Sequence, residues 1–255
     1  MNKFLKQYIM TPISDFSRRY EKVPVQIFEE QKDAAKVVVD DIIKSATAKA
    51  KSNKNLVLAL SASSACIQIY EDLVKAYEAG KISFKKVEIF TIDEYYPLDK
   101  NELQSHYRFF KEYLFDLVDI PQENIHCIES NKMEDINGYC QEFEKLIQSK
   151  GIDILITSNM GSNEPGSPYN SRTRQITLNY TTRVAAASDF FGVEYVPYHA
   201  ITMGIATILD AAKIYYLAWG EGAASSIKNL VEGEINAHIP YSYLQGHKHL
   251  SIFID

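Results

Sequence analysis

The stretch Gly151–Arg174, GIDILITSNMGSNEPGSPYNSRTR, decides how the rest of the sequence is read. Ile152–Thr157 is apolar apart from Asp153, the pattern of a short buried strand. It runs straight into a segment of Ser, Asn, Gly and Pro, which are turn formers. In an open α/β sheet, ligands bind outside the carboxyl ends of the strands. Polar chemistry is therefore expected here, and Glu164, between Asn163 and Pro165, is the acid placed to supply it.

Working outward, strand and helix patterns alternate. Strands are predicted at Val23–Phe28, Leu56–Leu60, Val87–Ile92, Lys213–Trp219 and Leu250–Ile254. Helices are predicted at Lys32–Ala50, Ile67–Glu78 (with Gly80 as its C-cap), Ser105–Leu117, Tyr139–Ser149, Ala200–Ala211 and Gly222–Glu232. Alternation with short connections argues for a doubly wound α/β fold, its sheet mainly parallel and its helices on both faces. No repeat, low-complexity tract or linker interrupts it. Residues 1–22 are mixed and charged and read as an N-terminal arm, ahead of one domain over 23–255.

Composition narrows the function classes. The 255 residues are 46% hydrophobic and 24% charged, which is ordinary for a globular chain. A net charge of −6, with no basic run, argues against nucleic-acid binding. Apolar runs are strand-length, so no membrane span is expected. The start MNKFLKQYIMTPISDF lacks the apolar core and cleavage site of a signal peptide. With Cys66, Cys127 and Cys140 widely spaced, reduced thiols and a cytoplasmic location are expected.

Three strand ends could carry chemistry. Ser61–Cys66 (SASSAC) joins a strand to a helix, and its small residues would let backbone N–H groups approach an anion. It holds no glycine and cannot reach positive φ cheaply, which favours the alternative of a plain strand-to-helix turn. Asp93-Glu94 closes another strand, where a carboxylate can shuttle a proton between adjacent sugar carbons, or simply cap a helix. Asn163-Glu164-Pro165 with Ser171–Arg174 pairs an acid with arginines suited to a phosphate or carboxylate, or to an ordinary surface ion pair. No histidine lies in an HxxxH or HExxH context, and the pair His247 and His249 lacks an acid or Cys partner, so no metal site is expected.

These segments resemble the glucosamine-6-phosphate deaminase (isomerase) family. Phe90–Tyr95 (FTIDEY) is similar to its FNxDEY segment, and Asn163–Ser167 with Ser171–Arg174 to its FNEPGS…SRTR segment. Gly80–Phe84, Gln104–His106, Pro121–His126 and Ala200–Ala211 support the match, which runs in order from about Val23 onward. Ala218–Gly222, Val231–Glu234 and Tyr243–Gln245 look closest to a branch in which this domain can be fused to a deacetylase-like domain. The resemblance implies a Rossmann-like fold, ring opening, aldose–ketose isomerisation and loss of ammonia, with no cofactor. It implies a sugar phosphate or related small molecule as ligand, and self-association as an option. By motif, Asp93 takes the position of the acid moving a proton between C1 and C2, and Glu164 that of the acid orienting a ring-opening histidine. Ser61, Ser63, Ser64, Asn159 and Arg172 take substrate-binding positions.

Departures from the family cluster at this site. The family loop ATGSTP is Ser61–Cys66 here, with Ser63 at its glycine. About four residues of the family's glycine turn are missing after the strand, and Asn159 holds the histidine position. A lysine directed at the phosphate falls at Ala223, and a phosphate-binding arginine near Asp189. The sequence therefore supports three readings: a divergent enzyme, a pseudoenzyme binding a sugar ligand or partner protein, and another sugar-phosphate hydrolase such as a lactonase. His106 and His199 are the histidines whose entry into the site would restore a proton carrier.

Overall fold

The computed structural model describes residues 20–131 and 133–255. Seven parallel strands form the main sheet: β1 (Val25–Ile27), β2 (Leu56–Leu60), β3 (Val87–Thr91), β5 (Ile125–His126), β6 (Ile154–Thr157), β9 (Ile214–Ala218) and β10 (Leu250–Ile254). Their spatial order is β1-β10-β9-β6-β2-β3-β5. The helices are α1 (Gln31–Lys51), α2 (Ile67–Glu78), α3 (His106–Tyr113), α4 (Ile136–Lys150), α5 (Tyr180–Ala186), α6 (Ile205–Leu209) and α7 (Ala224–Val231).

The sheet is doubly wound because its central strands are apolar on both faces. Along β2, Leu56, Leu58 and Leu60 face one core with Ile42 of α1, Leu73 of α2 and Phe110 of α3. Val57 and Ala59 face the other, with Phe143 of α4, Ile208 of α6 and Leu230 of α7. Side chains alternating across a pleat (period two) produce this division. Asp153, the polar residue before β6, accepts from the Val57 N–H at 2.9 Å and pairs with Lys49 at 2.7 Å. Gly80 follows α2 with φ +68, the left-handed value expected of its C-cap.

One expected helix is corrected. Ala200–Ala211 is not continuous: His199–Thr202 is a strand, β8, followed by the short α6. β8 is the middle of a second, antiparallel sheet, between β4 (Asp93–Tyr96) and β7 (Arg174–Thr177). Pairing Asp93↔Thr202 on one side and Arg174↔Thr202 on the other overrides the local helical pattern. That small sheet joins Asp93 to the segment downstream of Glu164. The expected N-terminal arm lies outside the described residues up to residue 19. At its end, the Lys22 N–H donates to the Val231 carbonyl at 2.8 Å. No helix among the described residues is long and apolar enough to cross a membrane.

Candidate active site

Strand order reverses between β2 and β6, so the crevice at their carboxyl ends is the switch point where such sheets bind ligands. Two hydroxyls bridge it. Ser63 Oγ lies 2.7 Å from Ser158 Oγ, just past β6. Ser63 keeps an extended backbone (φ −124) and caps a 3₁₀ turn by accepting from the Ala65 N–H at 3.3 Å. The loop thus folds without glycine, but its serine side chain spans the crevice. Ser61 is buried and its carbonyl accepts from Tyr70 Oη at 2.7 Å, whereas Ser64 is exposed. Trp219, at the end of β9, clamps the loop from the side by donating Nε1–H to the Ala65 carbonyl at 2.9 Å.

Asp93 is buried at the start of β4 and is enclosed by the protein's own donors. Ser162 Oγ donates to Oδ2 at 2.6 Å. His106 Nδ1, at the first turn of α3, lies 3.1 Å from Oδ1 and 2.8 Å from the Asp93 carbonyl. Ser162 reaches Asp93 because Gly161 turns the chain with φ +59; a Cβ there would stand 2.5 Å from Thr202 Oγ1. Glu94 is structural: its carboxylate accepts from Ser105 Oγ at 2.9 Å and from the Tyr107 N–H at 3.1 Å, holding the start of α3.

Electrostatics follow from this geometry. Burial works against the Asp93 carboxylate, yet the adjacent His106 charge and the hydrogen bonds from His106 and Ser162 bring it below its usual range. Burial likewise works against protonated His106, but Asp93 and Glu94 outweigh it and push its pKa up to about 10. At neutral pH the site therefore holds a carboxylate–imidazolium pair. Tyr95 packs edge-on against His106 at 5.4 Å, and its hydroxyl is pushed up to about 12 by burial and by the charges of Asp93, Asp189 and Glu94. In the order Ser162–Asp93–His106 the carboxylate is central, so Ser162 donates to a carboxylate and lacks the imidazole partner of the serine-hydrolase arrangement.

The other expected residues have different hydrogen-bond partners. Asn159 is exposed, and its Oδ1 accepts from the Gly161 N–H at 2.9 Å in a local turn. Glu164 accepts from the Asn179 N–H at 3.0 Å and from Asn179 Nδ2, while Asn179 caps α5 through the Thr182 N–H at 2.8 Å. Arg172 is committed to Asp210 and, at 3.4 Å, to Glu144. His199 sits on β8 with Nδ1 3.3 Å from Thr177 Oγ1. Sequence reasoning missed Ser162 as a partner of Asp93, because that contact depends on the turn at Gly161. Of the two histidines singled out in the sequence as possible proton carriers, His106 reaches Asp93 whereas His199 contacts Thr177. No group of three or more His, Cys, Asp or Glu among the described residues could hold a metal ion.

A family model described as glucosamine-6-phosphate isomerases/6-phosphogluconolactonase matches residues 29–252. The chain belongs to this family. A glucosamine-6-phosphate deaminase-like protein of Bacteroides thetaiotaomicron is 38% identical over 244 residues, 93% of this chain but 37% of that protein. This chain thus spans little more than a third of that relative's length. The glucosamine-6-phosphate deaminase of Clostridium novyi is 35% identical over 233 residues, 89% of this chain and 93% of that one. The structure of a monomeric glucosamine-6-phosphate deaminase matches with a TM-score of 0.85 at 27% identity, covering 91% of this chain and 97% of that one. A 6-phosphogluconolactonase of Thermotoga maritima, at 18% identity and TM-score 0.68, shares the fold; the match covers 90% of this chain and 98% of that one.

Proposed function

We propose that this protein is a glucosamine-6-phosphate deaminase/isomerase-like member of amino-sugar phosphate metabolism whose ordinary deamination is impaired. In this reading it takes a sugar phosphate or related small molecule at the β2/β6 crevice without running ring opening and isomerisation at the usual rate. The observation that carries the reading is the state of Asp93. Its two oxygens are held by Ser162 and by a protonated His106, and its pKa is lowered. A carboxylate so stabilised is a weak base for a carbon-bound proton. Asn159, at the family's histidine position, has no titrating group near neutral pH. Losing such acid–base help costs about 10²–10⁴-fold in rate.

The test is ammonia release together with fructose 6-phosphate formation from glucosamine 6-phosphate. Turnover within about tenfold of an ordinary enzyme's roughly 1–10³ s⁻¹ would overturn the reading. If turnover is absent, thermal-shift titration with sugar phosphates separates a ligand-binding pseudoenzyme from one that docks a partner protein. A second reading is favoured by His106 itself. As a buried imidazolium beside Asp93 it could give a proton to a ring oxygen or lactone oxygen, which would support altered isomerase or lactonase chemistry. Hydrolysis of 6-phosphogluconolactone that is lost in His106→Gln would favour that reading.

A further inference from the structure

The two loops at the β2/β6 crevice are closed on themselves. In the first, the Ser61 N–H donates to the Ile156 carbonyl at 3.1 Å and the Ser63 N–H to the Ser61 carbonyl at 2.9 Å. The Ala65 N–H donates to Ser63 Oγ at 3.3 Å, and the Cys66 N–H to the Ser63 carbonyl at 2.9 Å. In the second, the Asn159 N–H donates to Thr157 Oγ1 at 3.1 Å and the Gly161 N–H to Asn159 Oδ1 at 2.9 Å. The Ser162 N–H donates to Thr202 Oγ1 at 3.2 Å. A phosphate nest needs successive N–H groups free to turn toward one anion. Here those of Ser61, Ser63, Ala65 and Cys66 are committed to the protein, and Ser63 accepts the last two itself.

Positive charge is missing from both loops as well. Neither Ser61–Cys66 nor Thr157–Ser162 contains a lysine or arginine. Asp93, bonded to the second loop through Ser162, is an anion already paired with His106. What the crevice offers is hydroxyls: Ser63 Oγ and Ser158 Oγ stand 2.7 Å apart on half-buried residues. Whichever donates, one O–H of the pair stays free to donate and lone pairs remain to accept. A sugar hydroxyl uses both capacities, because it also donates and accepts. A phosphate dianion only accepts, and taking it out of water without a paired cation is costly.

We propose that Ser63 is a specificity-determining residue. By closing its own loop and bridging to Ser158, it makes the crevice select a neutral polyol, such as a sugar without phosphate, over a sugar phosphate. The proposal rests on the function read above, in which a sugar-type ligand enters between β2 and β6, and it names the class of ligand that this crevice accepts.

The experiment is calorimetric titration of the full chain, at pH 7 and fixed salt, with glucose and with glucose 6-phosphate. Glucose is expected to bind at least about tenfold more tightly, the scale of one unpaired charged contact. Ser63→Ala frees the Ala65 N–H and the Ser158 hydroxyl. Glucose should then weaken about fivefold and glucose 6-phosphate tighten about fivefold. Ser63→Thr keeps a hydroxyl on an extended backbone (φ −124) that suits a β-branched residue, and it should keep the preference. That retention separates loss of the hydroxyl from misfolding. Glucose 6-phosphate binding as tightly as glucose, no saturable binding of either, or an unchanged preference in Ser63→Ala would overturn the proposal. The function read above fails on a different observation, ammonia release from glucosamine 6-phosphate at an ordinary rate.

Discussion

At the residue scale, the contact between His106 and Asp93 sets the charge state of the site and makes its stability depend on pH. The two groups shift in opposite directions, so the pH dependence has two limbs. His106 is raised to about 10, so its contribution to stability is complete below the unfolded histidine value of about 6.5 and is lost as pH rises through about 10. Asp93 is lowered, so its contribution is present above the ordinary aspartate range and is lost as pH falls through its folded value. Thermal unfolding should therefore show Tm declining between about pH 6.5 and 10 in the natural protein. In His106→Gln, which cannot carry the charge, this decline should be largely absent. An unchanged profile would mean that His106 is not held as imidazolium. The sequence offered Asp93 and Glu164 by motif, but not what each would touch. Glu164 is held by Asn179, fifteen residues on, and Asp93 by a histidine 13 residues on and a serine 69 residues on. Such partners depend on backbone turns, which no pattern of residue types specifies.

At the element scale, strands and helices buried on both sides were legible, and the mixed sheet was not. β2 and α2 lie within the limits expected from pattern, because an apolar run between turn residues has one economical fate in a parallel sheet. β8 was read as helix because Ala200-Ile201-Thr202-Met203 continues into a helical segment; its strand state comes from partners more than twenty residues away. What fixes that region is Glu144 of α4, a buried acid that accepts from Thr173 N–H at 3.1 Å, Thr173 Oγ1 at 2.6 Å and Thr207 Oγ1 at 2.8 Å. One carboxylate thus holds the segment before β7 to α6. Removing it leaves buried donors without an acceptor, at about 1–3 kcal/mol each where no substitute is found. Glu144→Ala should therefore lower unfolding stability by about 3 kcal/mol in urea. Glu144→Gln, which keeps an acceptor oxygen, should cost less than half as much. Equal losses in the two variants would show that packing, not acceptance, is what Glu144 supplies.

At the scale of the whole molecule, the family's scaffold is kept, and the proposed function rests on a changed charge at its ligand face. Two cores, one on each side of the main sheet, hold the strand ends in place, and the resemblance that runs along nearly the whole chain reflects those cores. The face above them carries Asp93, Glu94 and Asp189 close enough together to act on Tyr95, on a chain whose net charge is −6. In the function proposed above, a sugar phosphate dianion would meet these carboxylates with only His106 to offset them, because Ala223 and Asp189 stand where the family resemblance places a lysine and an arginine. A charged phosphate contact is worth roughly 1.5–3 kcal/mol, or about ten- to a hundredfold in affinity. The double variant Ala223→Lys with Asp189→Arg should thus bind glucosamine 6-phosphate at least about tenfold more tightly by calorimetry, and the gain should shrink as salt is raised. Ammonia release should not rise in parallel, because neither substitution frees Asp93 from His106 and Ser162 or places a histidine at Asn159. Tighter binding with restored turnover would mean that recognition alone limits this protein. Tighter binding without it would locate the deficit in the proton-transfer groups at the ends of β3 and β6.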